Sequence, residues 1–315
     1  MPGEAIVVGS RDSELALIQA NYVIAALQGK FPAVDFPLKR IKTEGDRLLD
    51  VALAKIGGKG LFVKEIENAL LAGEIDLAVH SMKDVPTVIP AGLTIAAVTE
   101  REDARDCFIA RDGKSGLPDL QKGAVIGTSS LRRSAQLLAL RSDLQVMPLR
   151  GNLQTRFRKL EEIPLDGIIL AYAGVSRLGW TDRVVEIISL ENSLPAAGQG
   201  ALAIETRLGD ERTNRIAGYL DNDSARVAVT AERALLRRLE GGCHVPVGAY
   251  ARIVDGRLVL DGKVCSLDGK RVVQGQLMGE PEEAATLGEQ LAETLMRQGA
   301  AEILCQARQG FSSYD

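Results

Sequence analysis

Asp84 is the acidic residue of a polar run, His80-Ser81-Met82-Lys83-Asp84-Val85-Pro86, that directly follows the apolar segment Ile75 to Val79. If that segment is a strand, the run sits at its carboxyl end, the edge where open parallel sheets bind ligands. A carboxylate there can exchange protons or balance a positive charge, and Lys83 beside it can hold an anion. A solvated loop with Asp84 capping a turn is the plain alternative, and position alone leaves the two about level.

Three further stretches carry reactive or anion-binding groups. Lys55-Ile56-Gly57-Gly58-Lys59-Gly60 is glycine-rich and basic and leads toward a helix, so its amides and ammonium groups can meet carboxylates or phosphates, although it lacks the spacing of a phosphate loop and by itself reads better as a flexible solvent loop. Phe62 just beyond can stack on a flat ligand or join a core. Thr128-Ser129-Ser130 precedes Leu131-Arg132-Arg133, which puts two guanidinium groups in a first helical turn. The helix dipole disfavours cations there, so an anion is the better explanation than helix stability. Surface ion pairs offer a second one, and Arg150, Arg156, Arg158, Lys159 and Arg177 extend the basic run. Cys243 follows Gly241-Gly242 at a helix end, where the dipole gives a thiolate no help; by position it reads as a buried structural cysteine. His244 next to it suggests neither a dyad nor a metal site, because neighbouring side chains rarely aim at one point and no third ligand is evident.

The elements that must hold these groups follow from periodicity. Ala5 to Gly9 reads as a strand, and Ser13 caps a helix with Leu15, Ile18 and Tyr22 on one face. Val34 to Ile41 is a second strand, Leu61 to Leu71 a helix and Ile75 to Val79 a third strand, an alternation that predicts a parallel sheet under helices. The pattern restarts with a strand at Ala124 to Ile126, a helix at Leu131 to Leu140, and strands at Gln145 to Leu149 and Gly167 to Ala171. Beyond residue 220, Ser224 opens a helix to Leu239. Strands at Val247 to Val254, Arg257 to Val264 and Arg271 to Met278 are joined by Asp255-Gly256 and Asp268-Gly269 turns, and Pro281 opens a last helix.

A chain of 315 residues exceeds one usual core, so two or three domains are expected. A net charge of −4 argues against a nucleic-acid partner, and no apolar run reaches the roughly 18 residues of a membrane span. The chain therefore reads as cytoplasmic. Four widely spaced cysteines and two histidines support neither a disulfide framework nor a metal site.

Taken in order, GSRDSELALIQA from Gly9, AKIGGKGLFVKEIENALL from Ala54, AVHSMKDVP from Ala78, GTSSLRR from Gly127, LRGNLQTR from Leu149, LPAAGQGAL from Leu194 and EGGCHVPVGAY from Glu240 resemble the porphobilinogen deaminase family across almost the whole chain. The resemblance implies two periplasmic-binding-protein-like α/β domains around a cleft. A small α+β C-terminal domain with a three-stranded antiparallel sheet completes the fold. The domains are expected at residues 1–100 plus 201–219, 101–200 and 220–315. It implies a transferase that joins four porphobilinogen molecules head to tail, with loss of ammonia, on a dipyrromethane cofactor attached through a thioether to Cys243, and then hydrolyses off hydroxymethylbilane.

By the same resemblance Asp84 is catalytic. Lys83, Asp84, Thr128, Ser129, Arg132, Arg133, Arg156 and Gln199 hold the cofactor, while Arg11, Ser13, Arg150, Arg156 and Arg177 bind substrate. Lys55, Lys59 and Phe62 lie on a lid loop. A monomer is implied, with no metal, nucleic-acid or membrane partner. Glu44 and His244 depart from residues common in relatives, at positions without a chemical role. A non-catalytic binder of small anions is the alternative of a different class, since an arginine-rich, two-lobed protein suits that task too.

Overall fold

The structure is a computed structural model that describes residues 5–43, 63–239 and 245–312, with side chains as far as residue 309. The described residues fall into two compact units: 5–43, 63–102 and 200–226 form the first, and 103–199 with 227–312 the second.

In the first unit, β1 (Val8–Arg11), α1 (Glu14–Lys30), β2 (Leu38–Ile41), α2 (Lys64–Leu71), β3 (Leu77–Ser81) and β4 (Leu93–Val98) follow in order. The alternation of elements predicts a parallel sheet, and β1, β2 and β3 do run parallel. The sheet is nevertheless mixed. Its fourth position is taken by a late strand, Leu202–Arg207, which inserts antiparallel between β3 and β4 after the chain has built part of the second unit.

Alternation along β3 divides the core. Leu77 and Val79 join Val8, Val23, Leu27, Leu202 and Ile204 on one face, while Ala78 joins Ile66, Leu70, Ile75 and Leu93 on the other. Helix α1 turns Ala20, Val23 and Leu27 inward at helical spacing, and α2 turns Ile66 and Leu70 inward. Truncating fully buried Leu70 to alanine would cost about 2–5 kcal/mol through lost transfer energy and a residual cavity. Gly73 ends α2 with φ +71°, and its N–H donates to Leu70 O at 3.1 Å, a closure that glycine adopts without strain.

The second unit repeats the plan. It contains β5 (Asp106–Ala110), β6 (Val125–Gly127), α3 (Leu131–Leu140), β7 (Gln145–Met147), α4 (Leu153–Glu162), β8 (Gly167–Ala171), α5 (Tyr172–Arg177) and β9 (Glu186–Ile187). The sheet order β7-β6-β8-β5-β9 matches that of the first unit, where the inserted strand, now β10, occupies the place that β5 has here. Each sheet thus takes its antiparallel strand from one of the two crossings of the chain.

Helices α6 (Glu211–Ala217) and α7 (Asp223–Arg238) lead to β11 (Val247–Val254), β12 (Arg257–Cys265) and β13 (Val272–Gly279), an antiparallel sheet in that order. The first hairpin turns on Asp255 and Gly256 with φ of 49° and 78°, the left-handed pair of a tight two-residue turn. Helix α8 (Ala284–Leu295) lays Leu287, Leu291 and Leu295 onto this sheet, and α9 (Ala301–Ser312) adds Ile303 and Leu304. The sheet also abuts the preceding segment: Lys263 Nζ donates to Glu191 O at 2.7 Å, and a Cβ on Gly248 would meet Leu194 O at 2.8 Å.

Candidate active site

Strand β3 runs two residues further than its apolar core, so His80 and Ser81 are strand residues and Asp84 sits on the single 3₁₀ turn Met82–Asp84. Met82, almost fully buried, anchors this turn, and its N–H donates to Ala201 O at 3.0 Å. The half-buried Asp84 then lines a pocket with Arg11, Ser13, Gln19, His80 and Ser81. The pocket encloses about 420 Å³ of non-atom space, open solvent at its mouth included.

Arg11 ends β1, and Ser13 is the extended N-cap of α1. The Ser13 side chain makes no cap hydrogen bond, and so remains available to the pocket. Gln19 and Ser81 are hydrogen-bonded side chain to side chain at 3.0 Å, which ties α1 to the end of β3. The structure therefore brings Arg11, Ser13 and Asp84 together. Lys83 is half-buried on the same turn.

The second group of expected residues gathers on Asp106, which is fully buried. Asp106 Oδ2 accepts from Arg132 Nη1 at 2.6 Å, and Oδ1 accepts from Arg133 Nη2 at 2.8 Å, Arg133 Nε at 3.0 Å and Gln199 Nε2 at 2.9 Å. Burial pushes the Asp106 carboxyl up, but the charges and hydrogen bonds of Arg132 and Arg133 outweigh it and hold the acid well below the usual carboxylate range. The anion that answers two arginines in a first helical turn is thus, in the first place, the protein's own. Arg132 spends only Nη1, on Asp106 and on Leu194 O at 2.6 Å, leaving Nε and Nη2 without a hydrogen-bond partner among the described residues. Two guanidinium groups against one carboxylate also leave a surplus positive charge.

Around this nest, Thr128 is buried with its Oγ accepting from Ser130 N at 3.2 Å, and Ser129 Oγ donates to Leu149 O at 3.0 Å. Asn152 caps α4 by accepting from Thr155 N at 2.9 Å, and Arg156 Nε in the next turn donates to Gly151 O at 2.9 Å. Lys159 Nζ donates to Arg150 O at 3.4 Å, and Arg177 ends α5, half-buried. Cys107, beside the nest, is buried and its thiol is pushed up to about 12, so it is no nucleophile.

Cys243 and His244, and Glu44, Lys55, Lys59 and Phe62, lie outside the described residues. Sequence reasoning missed Asp106, Gln19 and Glu205. Asp106 had a signal in principle, a charged residue in a strand of otherwise apolar residues, Cys107 to Ala110. No helix among the described residues is long and apolar enough to cross a membrane.

Comparison with known proteins gives these groups a context. The model "Porphobilinogen deaminase, dipyromethane cofactor binding domain" matches residues 6–215, and "Porphobilinogen deaminase, C-terminal domain" matches 227–297. Curated proteins named porphobilinogen deaminase from Carboxydothermus hydrogenoformans and Desulforudis audaxviator are 54% and 56% identical to the chain, covering 96% and 97% of it and 97% and 98% of those proteins. A solved VFT2 domain of BvgS from Bordetella pertussis aligns with a TM-score of 0.42 at 15% identity, over 68% of this chain and 85% of that one. Family models covering both the sheet pair and the C-terminal domain, with relatives more than half identical over nearly their full length, establish that the chain belongs to the porphobilinogen deaminase family.

Proposed function

We propose that the chain is the transferase its relatives are named for. It deaminates porphobilinogen and condenses four molecules head to tail on a dipyrromethane attached through a thioether to Cys243, then releases hydroxymethylbilane by hydrolysis with four ammonia. The observation that carries this reading is the half-buried Asp84 carboxylate in one small pocket with Arg11 and Ser13. In each addition ammonia leaves the aminomethyl carbon, and the free α-carbon of the neighbouring ring attacks that electrophilic carbon. Positive charge spreads onto pyrrole nitrogens as it does so. An ionised aspartate facing N–H groups stabilises that charge, and more strongly in a partly dry pocket than in water.

Porphobilinogen carries an acetate and a propionate, which suit arginine forks and helix-start hydroxyls. Arg11, Ser13, Arg150, Arg156 and Arg177 take these carboxylates on the substrate. Lys83, Asp84, Thr128, Ser129, Arg132, Arg133, Arg156 and Gln199 hold the cofactor, and Lys55, Lys59 and Phe62 form the lid. The donor set fits a polycarboxylate, since Arg132 retains unused N–H donors and the Asp106 nest a surplus positive charge. When bound, the dipyrromethane supplies the nucleophilic α-carbon that starts the chain. The reading includes a monomeric, cytoplasmic protein with domains at residues 1–100 plus 201–219, 101–200 and 220–315.

Intact mass tests it. The purified chain should exceed its sequence mass by two linked pyrroles, and Cys243→Ser should abolish the increment along with turnover. An active preparation of unmodified mass would refute the reading.

A further inference from the structure

One carboxylate cannot hold positive charge and take up a proton at the same moment. Stabilising a cationic ring requires ionised Asp84, while collecting the proton that the attacked ring loses would neutralise it. Among the described lining residues the titratable groups are Arg11, His80 and Asp84. Arginine does not take part in proton transfer at these pH values, because its pKa lies above about 12. Among these described groups the imidazole is what remains.

His80 is built for that task. Its side chain is 3% exposed, and Nε2 lies 3.0 Å from Glu205 Oε2, itself on a side chain 1% exposed. Glu205 stands on β10 opposite Ala78, one pleat from His80 on the same face of the sheet. The hydrogen bond at Nε2 leaves Nδ1 without a hydrogen-bond partner among the described residues. Glu205 Oε1 is buried and accepts no hydrogen bond among the described residues, so this carboxylate has capacity to spare for a full positive charge on the ring. Facing the pair from α2 is Glu67, which burial first, and the Glu205 charge second, push above the usual carboxylate range.

We propose that His80, backed by Glu205, is the second base of the pocket and accepts the α-proton of each ring after attack, so that Asp84 stays ionised throughout. This rests on the reading of Asp84 given above. The new C–C bond forms first. The electrons of the α-C–H bond then return to the ring, the proton moves to His80 Nδ1, and the imidazolium is held by Glu205 through Nε2–H. The proton afterwards leaves to the released ammonia, giving ammonium, and no oxidant or reductant is needed.

Two measurements test the proposal. The chain has two histidines, so ring-nitrogen NMR signals can be assigned with His244→Gln. In a protein free of turnover, Asp84→Asn should move the His80 signals, and unmoved signals overturn the proposal. With holoenzyme carrying its dipyrrole mass, His80→Gln should lower kcat about 10²-fold with KM within about twofold, in the range of general-base losses. An isotope effect with α-deuterated porphobilinogen should then appear that the native enzyme lacks. A lower kcat without that isotope effect would mean a structural role and sink the idea. Should His80→Gln fail to fold, Glu205→Gln retains a hydrogen-bonding group and must show the same isotope effect. Failure of the Asp84 reading would show separately, as normal turnover in Asp84→Ala.

Discussion

Asp84 and Asp106 are the same side chain in two opposite settings. Asp84 is half-buried on a one-turn helix facing open space, and its shape as a ligand-facing group comes from the strand that ends just before it. Asp106 is sealed at the start of β5 and accepts from Arg132, Arg133 and Gln199. A carboxylate meant to meet changing partners must keep solvent access. One that assembles other residues is most effective where low dielectric strengthens each contact and where removing it strands the charges around it. Asp106 joins α3 to the segment that holds Leu194 and Gln199, so it aims the arginines proposed to meet the cofactor.

The sharpest way to break this comparison is to remove each acid. Asp84→Ala should cut turnover by about 10²–10³-fold, the loss expected for a charge-stabilising group, while the urea midpoint stays near the native value. A large fall in stability would place Asp84 with Asp106. Asp106→Asn should do the reverse and destabilise by about 3–5 kcal/mol in urea titrations, because two buried guanidinium groups lose their counter-charge. Acid sharpens the point. The Asp106 acid is held below its unfolded range, so its stabilisation is complete above about pH 4 and drains away as pH falls toward the folded value. The stability gap between native protein and Asp106→Asn should therefore narrow from pH 5 to pH 3; a constant gap would argue against a charged Asp106.

Smaller effects test the frame on which the two acids sit. Gly200 has φ +98°, and a Cβ there would lie 2.3 Å from Glu102 O, so Gly200→Ala should cost about 1–3 kcal/mol in thermal or urea unfolding. Ser193 Oγ stands 3.5 Å from Asp106 Oδ2, at the limit of a hydrogen bond. Ser193→Ala should accordingly cost under about 1 kcal/mol, and a larger loss would mean that the nest depends on more than its arginines.

Much of the molecule is legible along the chain. Helix α3 and strands β8 and β11 have the bounds that periodicity predicts, and the Asp255-Gly256 turn has the left-handed pair that its residues favour. These are local outcomes, set by propensity and by the spacing of apolar side chains. Other bounds shift by a few residues. Apolar spacing predicts that the third strand ends at Val79, yet it continues to Ser81, because the antiparallel ladder from Leu202 to Thr206 pairs His80 and Ser81 as well. Hydrophobicity gives no sign of that pairing.

The sequence by itself determined the family, the motif order, the polar run around Asp84 and the basic run after Ser130, since each is written in neighbouring residues. Only the tertiary structure decided that the sheets are mixed, that Arg132 and Arg133 converge on an aspartate 26 and 27 positions earlier, and that His80 meets a glutamate 125 positions later. Partners so far apart are chosen by strand order and burial. A buried charge takes whichever counter-charge the folded chain brings within hydrogen-bonding distance, and local spacing holds no record of that choice.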